Sequence, residues 1–231
     1  MRDLIVRFLS KIRLYIPIVN LINKIKNRKK KRYVQKYGLE AIVKMDEAFS
    51  EMGCKMFPVF GTLLGAYRDH GFIPYDFDLD VGVINNSLPN DYHQKLNEKG
   101  FALLRQYYVQ NNNLVLEETY CWKKVSVDLF IFFEEGNTYV TYGTRKHEYK
   151  DWKLANKEDG FPVACQIVDR CDFKRKDFLG HPIYMPEKTH EWLVDMYTDT
   201  YMTPIKNFDD SNKERRVIFP MEFRSYRRLI E

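Results

Sequence analysis

Three aspartates alternate with apolar residues just before a run of β-branched residues. Asp76, Asp78 and Asp80 are spaced by two, with Phe77 and Leu79 between them. On an extended strand this spacing places the three carboxylates on one face, about 7 Å apart per step. Carboxylates on one face repel each other unless a cation lies between them, and Mg²⁺ prefers hard oxygen ligands supplemented by substrate phosphates. The pattern predicts metal ligands at Asp78 and Asp80 and leaves the role of Asp76 open.

A later strand, predicted over residues 123–133, carries one further acid. Asp128 lies on the face opposite to the aliphatic residues of this strand, among phenylalanines. A buried carboxylate is costly unless it has a partner. A metal shared with Asp78 and Asp80 would provide that partner, and Asp128 could also take the proton of an attacking hydroxyl. We therefore predict Asp128 as the third metal ligand or as a general base.

A possible phosphate site precedes the three aspartates. Gly61 lets the backbone approach a ligand closely, Thr62 can cap the brief helix predicted over 63–68, and the N–H groups of a helix start attract anions. Arg68 lies two helical turns after Gly61, where it could reach a phosphate or form a surface salt bridge. Gly61, Thr62 and Arg68 are the predicted donor-phosphate residues.

Periodicity along the body of the chain favours an α+β fold, a mixed or antiparallel sheet flanked by helices. With 231 residues and 45% apolar content, the chain is long enough to bury a substantial core. Residues 143–185 and the last 30 residues show little of the apolar periodicity that marks a helix or a strand. Helices are predicted at 40–51, 63–68, 91–99 and 187–197, and strands at 55–60, 77–84, 101–109, 114–120, 123–133 and 138–142.

The run from Gly61 to Asp80 resembles the signature of the LicD and fukutin-related proteins, within the nucleotidyltransferase fold of DNA polymerase beta. The family run is G-T-L-L-G-A-x-R-x-x-G-F-I-P-W-D-D-D-I-D, and Tyr75, Phe77 and Leu79 replace its Trp, middle Asp and Ile. The sequence from Val127 to Phe130 resembles a later V-D-L-F strand of the family. A C-terminal Y-G-x-x-W feature is only partly present, because residues 197–201 lack both its Gly and its Trp.

The resemblance implies a transferase that uses Mg²⁺ or Mn²⁺. It would move a phospho-alcohol, such as phosphocholine or ribitol phosphate, from a CDP-activated donor to a hydroxyl of a cell-surface glycan, such as lipopolysaccharide, capsule or teichoic acid. One alternative uses the same site to transfer the nucleotide itself to a small acceptor. Another is a basic protein that binds nucleic acid or membrane without catalysis. The alcohol, the sugar and the oligomeric state are left open.

Charge divides the chain into a basic arm, residues 1–39, and a transferase body, residues 40–231. The arm has 12 Lys/Arg and one acid, a net charge of +11, whereas the body has 25 Lys/Arg and 31 acids, a net charge of −6. An amphipathic pattern followed by the run Lys29–Arg32 predicts that residues 1–32 bind an anionic membrane surface, at the cytoplasmic face of the cell membrane. Packing of the arm on the body is the alternative, and the acidic body argues against nucleic acid.

Four cysteines are scattered without tight pairing, and the N-terminus does not read as a secretory signal. These features favour a reducing cytosol and free thiols. A zinc site of Cys165, Cys171 and His181 is conceivable, although the spacing of the cysteines is loose for such a site.

Overall fold

The computed structural model describes residues 15–110, 113–144, 152–158, 160–204, 215–218 and 223–230. These residues contain five α-helices and eleven β-strands. The helices are α1 (Tyr15–Glu51), α2 (Phe60–Leu64), α3 (Tyr92–Glu98), α4 (Trp152–Glu158) and α5 (Thr189–Tyr197). The strands are β1 (Met56–Pro58), β2 (Leu79–Ile84), β3 (Ala102–Val109), β4 (Val115–Trp122), β5 (Val125–Glu135), β6 (Thr138–Thr144), β7 (Phe161–Asp169), β8 (Phe173–Phe178), β9 (His181–Pro186), β10 (Arg216–Ile218) and β11 (Arg224–Leu229).

Strand β5 is the centre of the sheet. It pairs in parallel with β2, and its other pairings are antiparallel, with β4 over its first half and with β6 over its second. From β4 the sheet continues through antiparallel pairs to β3, β11, β7 and β6, in that order. Because β6 also pairs with β5, these six strands form a closed ring. The predicted α+β class with a mixed sheet is confirmed, and the finer likeness to DNA polymerase beta stays a prediction.

One hydrophobic core lies between the sheet and the long helix α1. Ile42, Met45 and Phe49 of α1 are fully buried together with Val81 of β2 and Leu129 of β5. This face of the sheet is aliphatic because every second residue of β2 and β5 points toward the helix. The helix therefore covers the side of β2 and β5 that carries no acids.

Helix α1 also crosses the boundary that charge predicts after residue 39. Val34 is buried in the same core as Ile42, although it lies on the arm side of that boundary. Residues 1–14, which hold the first part of the predicted amphipathic pattern, are outside the described residues. Within the part described, no helix is both long and apolar enough to cross a membrane.

A second, aromatic core lies on the other face of the sheet under α5. Trp192 of α5 stacks on Phe132 of β5, with ring centroids 5.8 Å apart, and Phe57 of β1 stacks on Phe173 of β8 at 4.2 Å. Aromatic pairs of this kind contribute more than their buried area alone. Strand β5 is thus held between two cores, and its position does not depend on the acids that it carries.

A buried carboxylate, Glu118, connects α3 to the sheet. It is 0% exposed and accepts hydrogen bonds from Tyr92 Oη at 3.0 Å, Tyr120 Oη at 2.8 Å, His93 Nε2 at 2.7 Å and Gln106 Nε2. Burial by itself raises the pKa of Glu118, but the bonds from His93, Gln106 and Tyr120 outweigh it and lower the pKa. The ionised carboxylate is therefore part of the fold.

We expect Glu118→Gln to lower the free energy of unfolding by about 1–3 kcal/mol, because its amide N–H₂ would face donors that need an acceptor. In a domain of this size this is roughly 2–4 °C in Tm for each kcal/mol, measurable by calorimetry. Glu117→Gln is the matched control, since Glu117 immediately precedes Glu118 on β4 and its side chain lies on the opposite face of the sheet. Equal losses of Tm in the two variants would contradict the role of Glu118.

Candidate active site

The parallel pairing of β2 with β5 brings two aspartates side by side. Asp80 and Asp128 are register partners across the two strands, so their side chains leave the sheet on the same face. Asp78 lies two residues before Asp80, immediately before β2 begins, and shares this face. The structure therefore brings together Asp78, Asp80 and Asp128, which the sequence predicts as metal ligands from two segments about 50 residues apart.

Asp80 is fixed through its backbone by the segment that precedes it. Its N–H donates to Thr62 Oγ1 at 2.8 Å, and its carbonyl accepts from the N–H of Val59 at 3.1 Å. Thr62 therefore does not cap α2 as predicted: it lies inside the helix, and Val59 occupies the N-cap position without a side-chain cap bond. The hydroxyl of Thr62 instead holds the start of β2 in place.

Gly61 makes room for the carboxylates. A Cβ on this residue would lie 2.8 Å from Asp76 Oδ2 and 3.4 Å from Asp80 Oδ2, the first of which is shorter than real contacts of this kind. The chain reaches this position through Phe60, whose φ of 43° turns the backbone sharply between β1 and α2. Close approach at Gly61 is thus observed toward the protein's own acids, and its contact with a donor phosphate stays a prediction.

Asp128 has protein partners inside the site. It is 7% exposed, Thr119 Oγ1 donates a hydrogen bond to its Oδ1, and Arg105 Nη2 lies 3.6 Å from the same oxygen. Thr119 and Arg105 are register neighbours on β4 and β3, so adjacent strands supply both partners. Thr119 and Arg105 therefore offset part of the free-energy cost of burying the Asp128 carboxylate.

Burial and mutual repulsion shift the pKa values of the clustered acids upward. Burial followed by the charges of Asp128 and Asp76 raises the pKa of Asp78 to about 7. Burial, then Asp78 and Asp128, raises the pKa of Asp80 well above its usual value. Burial also raises the pKa of Asp128, opposed by Arg105 and by the hydrogen bond from Thr119. The site is therefore electrostatically incomplete without an added positive charge.

The donor set fits a hard divalent cation by its chemistry. Asp78, Asp80 and Asp128 offer carboxylate oxygens only, as Mg²⁺ and Mn²⁺ prefer, and their repulsion would be relieved by an ion between them. Among the described residues, however, no three His, Cys, Asp or Glu side chains form a closed ion-binding group. The same finding applies to the conceivable zinc site of Cys165, Cys171 and His181, and Cys54, Cys121 and Cys171 are free thiols.

Sequence reasoning missed a fourth acid and two arginines on this face. Burial followed by the charge of Asp128 raises the pKa of Glu117 to about 8. Arg105 and Arg227 each have a buried Nε without a hydrogen-bond partner among the described residues. The sequence did offer a signal for Glu117, because Glu117 and Glu118 are neighbours on a predicted strand. Neighbours on a strand point to opposite faces of the sheet, so one of the two acids lies on the same face as Asp128.

The basic run of α1 reaches the edge of the site. Lys30 Nζ lies 5.4 Å from the ring centroid of Phe77, the residue that replaces the middle Asp of the family run. Phe77 is exposed, and the charge of Lys30 lowers the pKa values of Asp78 and Asp128 against the larger effect of burial. A cation–π contact therefore stands where an acid of the family motif would lie.

Arg68 is engaged with protein groups. Its Nε and Nη2 donate to Asp69 at 2.8 and 2.9 Å, and Nη1 donates to the carbonyl of Tyr201 at 3.3 Å. The salt-bridge alternative from the sequence is therefore present. Arg68 is near enough to lower the pKa of Asp76, against burial, and its contact with a donor phosphate stays a prediction.

A cavity of about 300 Å³ opens beside the carboxylates. Its wall includes Gly61, Asp80 and Glu117 from the site, and Thr141 and Gln166 from β6 and β7. Small residues, Gly143 and Ala164, widen it where β6 pairs with β7. A ligand held at Asp80 would therefore have room to extend toward strands β6 and β7.

Comparison with known proteins supports the resemblance read from the sequence. The family model described as LicD/FKTN/FKRP, nucleotidyltransferase domain, matches residues 53–166. This segment contains the clustered aspartates, Glu117 and the cavity residue Gln166. The resemblance first seen between Gly61 and Asp80 is confirmed.

Several mammalian relatives carry the name ribitol-5-phosphate transferase FKTN. The protein of Mus musculus is 26% identical over 166 residues, which are 71% of this chain and 32% of that protein. The Homo sapiens protein is 25% identical with the same coverage. An uncharacterized protein of Rickettsia prowazekii (strain Madrid E) is 33% identical over 81 residues, 35% of this chain and 27% of that protein. The chain spans about a third of the length of the curated relatives it matches.

We expect Asp78→Asn to stabilise the metal-free protein at pH 8. The folded pKa of about 7 exceeds the usual 3.8, so the ionised form is disfavoured by folding and stability falls as pH rises between these values. Calorimetry in a chelator should show a higher Tm for the variant at pH 8, by about 2–4 °C for each kcal/mol relieved, and little difference near pH 4. Asp91→Asn, at an exposed position, is the control. A Tm difference independent of pH would contradict the repulsion among these acids.

Proposed function

Residues 53–166 place the chain in the LicD/FKTN/FKRP family of nucleotidyltransferase domains, and from this premise we propose that it transfers a phospho-alcohol from a CDP-activated donor to a hydroxyl of a cell-surface glycan. Ribitol phosphate and phosphocholine are candidate groups, and lipopolysaccharide, capsule and teichoic acid are candidate acceptors. The observation that carries the proposal is the register pairing of Asp80 with Asp128, which forms one acidic face from two distant segments.

The residues of this face match the needs of phosphoryl transfer. Mg²⁺ or Mn²⁺ held by Asp78 and Asp80, with Asp128, would offset the charge of the donor diphosphate and of the entering and leaving oxygens. Gly61, Thr62 and Arg68 remain the proposed contacts of the donor phosphates. Arg105, beside Asp128, adds a fixed positive charge on the same face.

Asp128 is the proposed proton acceptor when it is not bound to the ion. The acceptor hydroxyl attacks the phosphorus that bears the alcohol, its proton passes to Asp128, and the bond to the bridging oxygen breaks to release CMP. A raised pKa makes Asp128 a stronger base than a carboxylate in water. Thr119 and Arg105 hold its Oδ1, which leaves Oδ2 as the oxygen to receive the proton.

We expect Asp80→Ala and Asp78→Ala each to reduce CMP release from CDP-ribitol, CDP-glycerol or CDP-choline by at least about 100-fold, because each removes charge that acts in the transition state. The assay contains Mg²⁺ or Mn²⁺ and a glycan acceptor, and circular dichroism verifies the fold. Asp91→Asn should retain the activity of the wild type. Near-normal turnover by either alanine variant would refute the assignment. In a parallel assay with CTP, release of pyrophosphate with CMP joined to the acceptor would instead support transfer of the nucleotide.

We further propose that the chain binds the cytoplasmic face of an anionic membrane through the first part of the chain. Arg28, Lys29 and Arg32 are exposed on α1, which supports contact with anionic headgroups, whereas Lys30 faces Phe77 at the site. An acceptor carried on a lipid would then lie near the carboxylates.

Liposome flotation tests this proposal. With vesicles rich in anionic lipid, we expect Arg28→Glu combined with Lys29→Glu to reduce recovery at low salt, and a chain lacking residues 2–14 to lose more. Both changes spare Val34, so the core is kept. The full chain on neutral vesicles is the control. Equal recovery of all forms on anionic vesicles would exclude membrane contact by this segment.

A further inference from the structure

Two arginines extend the acidic face beyond Asp128. Arg227 of β11 is the register partner of Tyr107 of β3, which lies two residues after Arg105 on the same strand. Residues two apart on a strand share a face, so Arg105 and Arg227 are diagonal neighbours, with backbones about 7–8 Å apart. Thr119 of β4 pairs in register with Arg105 on one side and with Asp128 on the other. Both arginine side chains therefore leave the sheet on the face that carries the carboxylates.

The charge of Arg227 is not balanced by an acid. The residue is half-buried, and among the described residues its guanidinium has no carboxylate in ion-pair contact. Its Cζ lies over the ring of Trp152 on α4, 4.6 Å from the centroid, and its buried Nε lacks a hydrogen-bond partner in the same part of the chain. Burial lowers the pKa of Arg227 against the effect of Tyr107, and repulsion by Arg105 acts in the same direction as burial. A partly buried charge without a partner of opposite sign is costly.

Arg105 is only partly compensated by Asp128. Its Nη2 lies 3.6 Å from Asp128 Oδ1, whereas a charge-assisted hydrogen bond spans about 2.7–2.9 Å. The side chain of Arg105 is 27% exposed, so part of it can be reached from solvent. With a divalent ion at the aspartates, the charge of Asp128 is taken up by that ion, and Arg105 is left without a counter-charge.

Glu117 does not balance the two arginines. It is the register partner of Tyr107 and thus lies beside them on the same face, yet its carboxyl group forms no ion pair with either arginine in the described structure. Burial, followed by the charge of Asp128, raises the pKa of Glu117 to about 8, so this group is largely neutral near neutral pH. Strands β3 and β11 therefore present a surplus of positive charge next to the carboxylates.

The position of the arginines indicates which substrate they meet. Gly61 and Arg68, the proposed contacts of the donor phosphates, lie in and just after α2, which packs beside β2. Arg105 and Arg227 lie on the other side of β5, beyond β4. In a displacement at phosphorus, the entering and leaving oxygens are roughly in line. A donor held on the β2 side therefore leaves the β4 side for the acceptor, next to Asp128 as its proposed proton acceptor.

We propose that Arg105 and Arg227 form an anion site that binds a phosphate group of the acceptor, so that the acceptor is a phosphorylated glycan and not a neutral one. This inference rests on the proposed transfer from a CDP-activated donor. Arginine forks donate paired N–H bonds to phosphate oxygens, and two of them on adjacent strands can hold one phosphate from two sides. The contact of Arg227 with Trp152 orients one fork before the ligand binds.

Titration of inorganic phosphate tests the anion site. Calorimetry is performed with protein saturated with Mg²⁺ and CDP, which occupy the donor side and leave the proposed acceptor side open. We expect Arg227→Gln to weaken phosphate binding by about tenfold or more, the effect of losing charged hydrogen bonds. Arg227→Lys, which keeps the charge and loses the fork, should weaken it less. No phosphate binding by the wild type, or equal affinities of the wild type and Arg227→Gln, would overturn the inference.

Arg228→Gln is the matched control. Arg228 follows Arg227 on β11, is exposed, and lies over Tyr108 on the opposite face, with its Nε donating to Gln106. The variant removes the same charge one residue away and should retain phosphate binding. Equal losses in Arg227→Gln and Arg228→Gln would mean that overall charge binds the phosphate, which contradicts a defined site. Circular dichroism verifies the fold of each variant.

The same titration without CDP distinguishes an acceptor phosphate from a donor phosphate. If binding that depends on Arg227 is present with Mg²⁺ alone and persists when CDP is added, the phosphate and the donor nucleotide occupy different positions, as proposed. If CDP displaces the phosphate, the arginines hold a donor phosphate and the acceptor assignment is wrong. In the CMP-release assay, Arg227→Gln should accordingly raise the KM of the acceptor by about tenfold and leave that of the CDP-alcohol unchanged.

Binding and turnover together separate failure of this inference from failure of the proposed function. If no CDP-alcohol is consumed but phosphate binds in a manner that depends on Arg227, the transfer fails and the anion site stands. If CDP-alcohols are consumed and phosphate binding does not depend on Arg227, the transfer stands and the anion site is wrong. Absence of both turnover and binding would overturn both.

Discussion

The site depends on one parallel strand pair. Because β2 and β5 run side by side in register, Asp80 and Asp128 leave the sheet together, and the same alternation turns Val81 and Leu129 into the core under α1. Packing on the aliphatic face and on the aromatic cluster around Trp192 fixes the two strands. The energy that holds the acids together thus comes from apolar burial, and the acids themselves oppose the arrangement.

Glu117 and Glu118 are adjacent on β4, but they lie on opposite faces of the sheet and their pKa values are shifted in opposite directions. Glu118 is buried among donors that lower its pKa, whereas Glu117 faces the aspartates, and burial with Asp128 raises its pKa to about 8. Glu118 is satisfied by the fold and acts as a structural connection between α3 and the sheet. Glu117 and the aspartates are left with charge that the protein does not balance, which is the pattern expected of groups that meet a ligand.

Much of the local structure was predictable from periodicity. The strand predicted over 101–109 is found at Ala102–Val109, and the helix predicted over 91–99 is found at Tyr92–Glu98. The strand predicted over 55–60 is shorter than expected, because the backbone turns at Phe60 and enters α2. Residues 143–185, which have little period, contain α4, β7, β8 and β9, and the last 30 residues supply β11, which pairs with β3 and β7. Pairing between distant strands supplies what local pattern lacks in these segments.

Asp76 and Asp78, which the alternation predicts on one strand face with Asp80, lie before β2 begins. The sequence by itself determined that Asp80 and Asp128 each lie on a strand whose opposite face is aliphatic, and that the run from Gly61 to Asp80 resembles a known family. These are local properties, because the period of a strand is set by its own backbone. Only the tertiary structure decided what lies across from each face: Thr119 and Arg105 beside Asp128, Glu117 among the aspartates, and Gln166 in the cavity. Register between strands far apart in the chain depends on side-chain packing and loop geometry together, and a single strand's pattern carries no record of its partner.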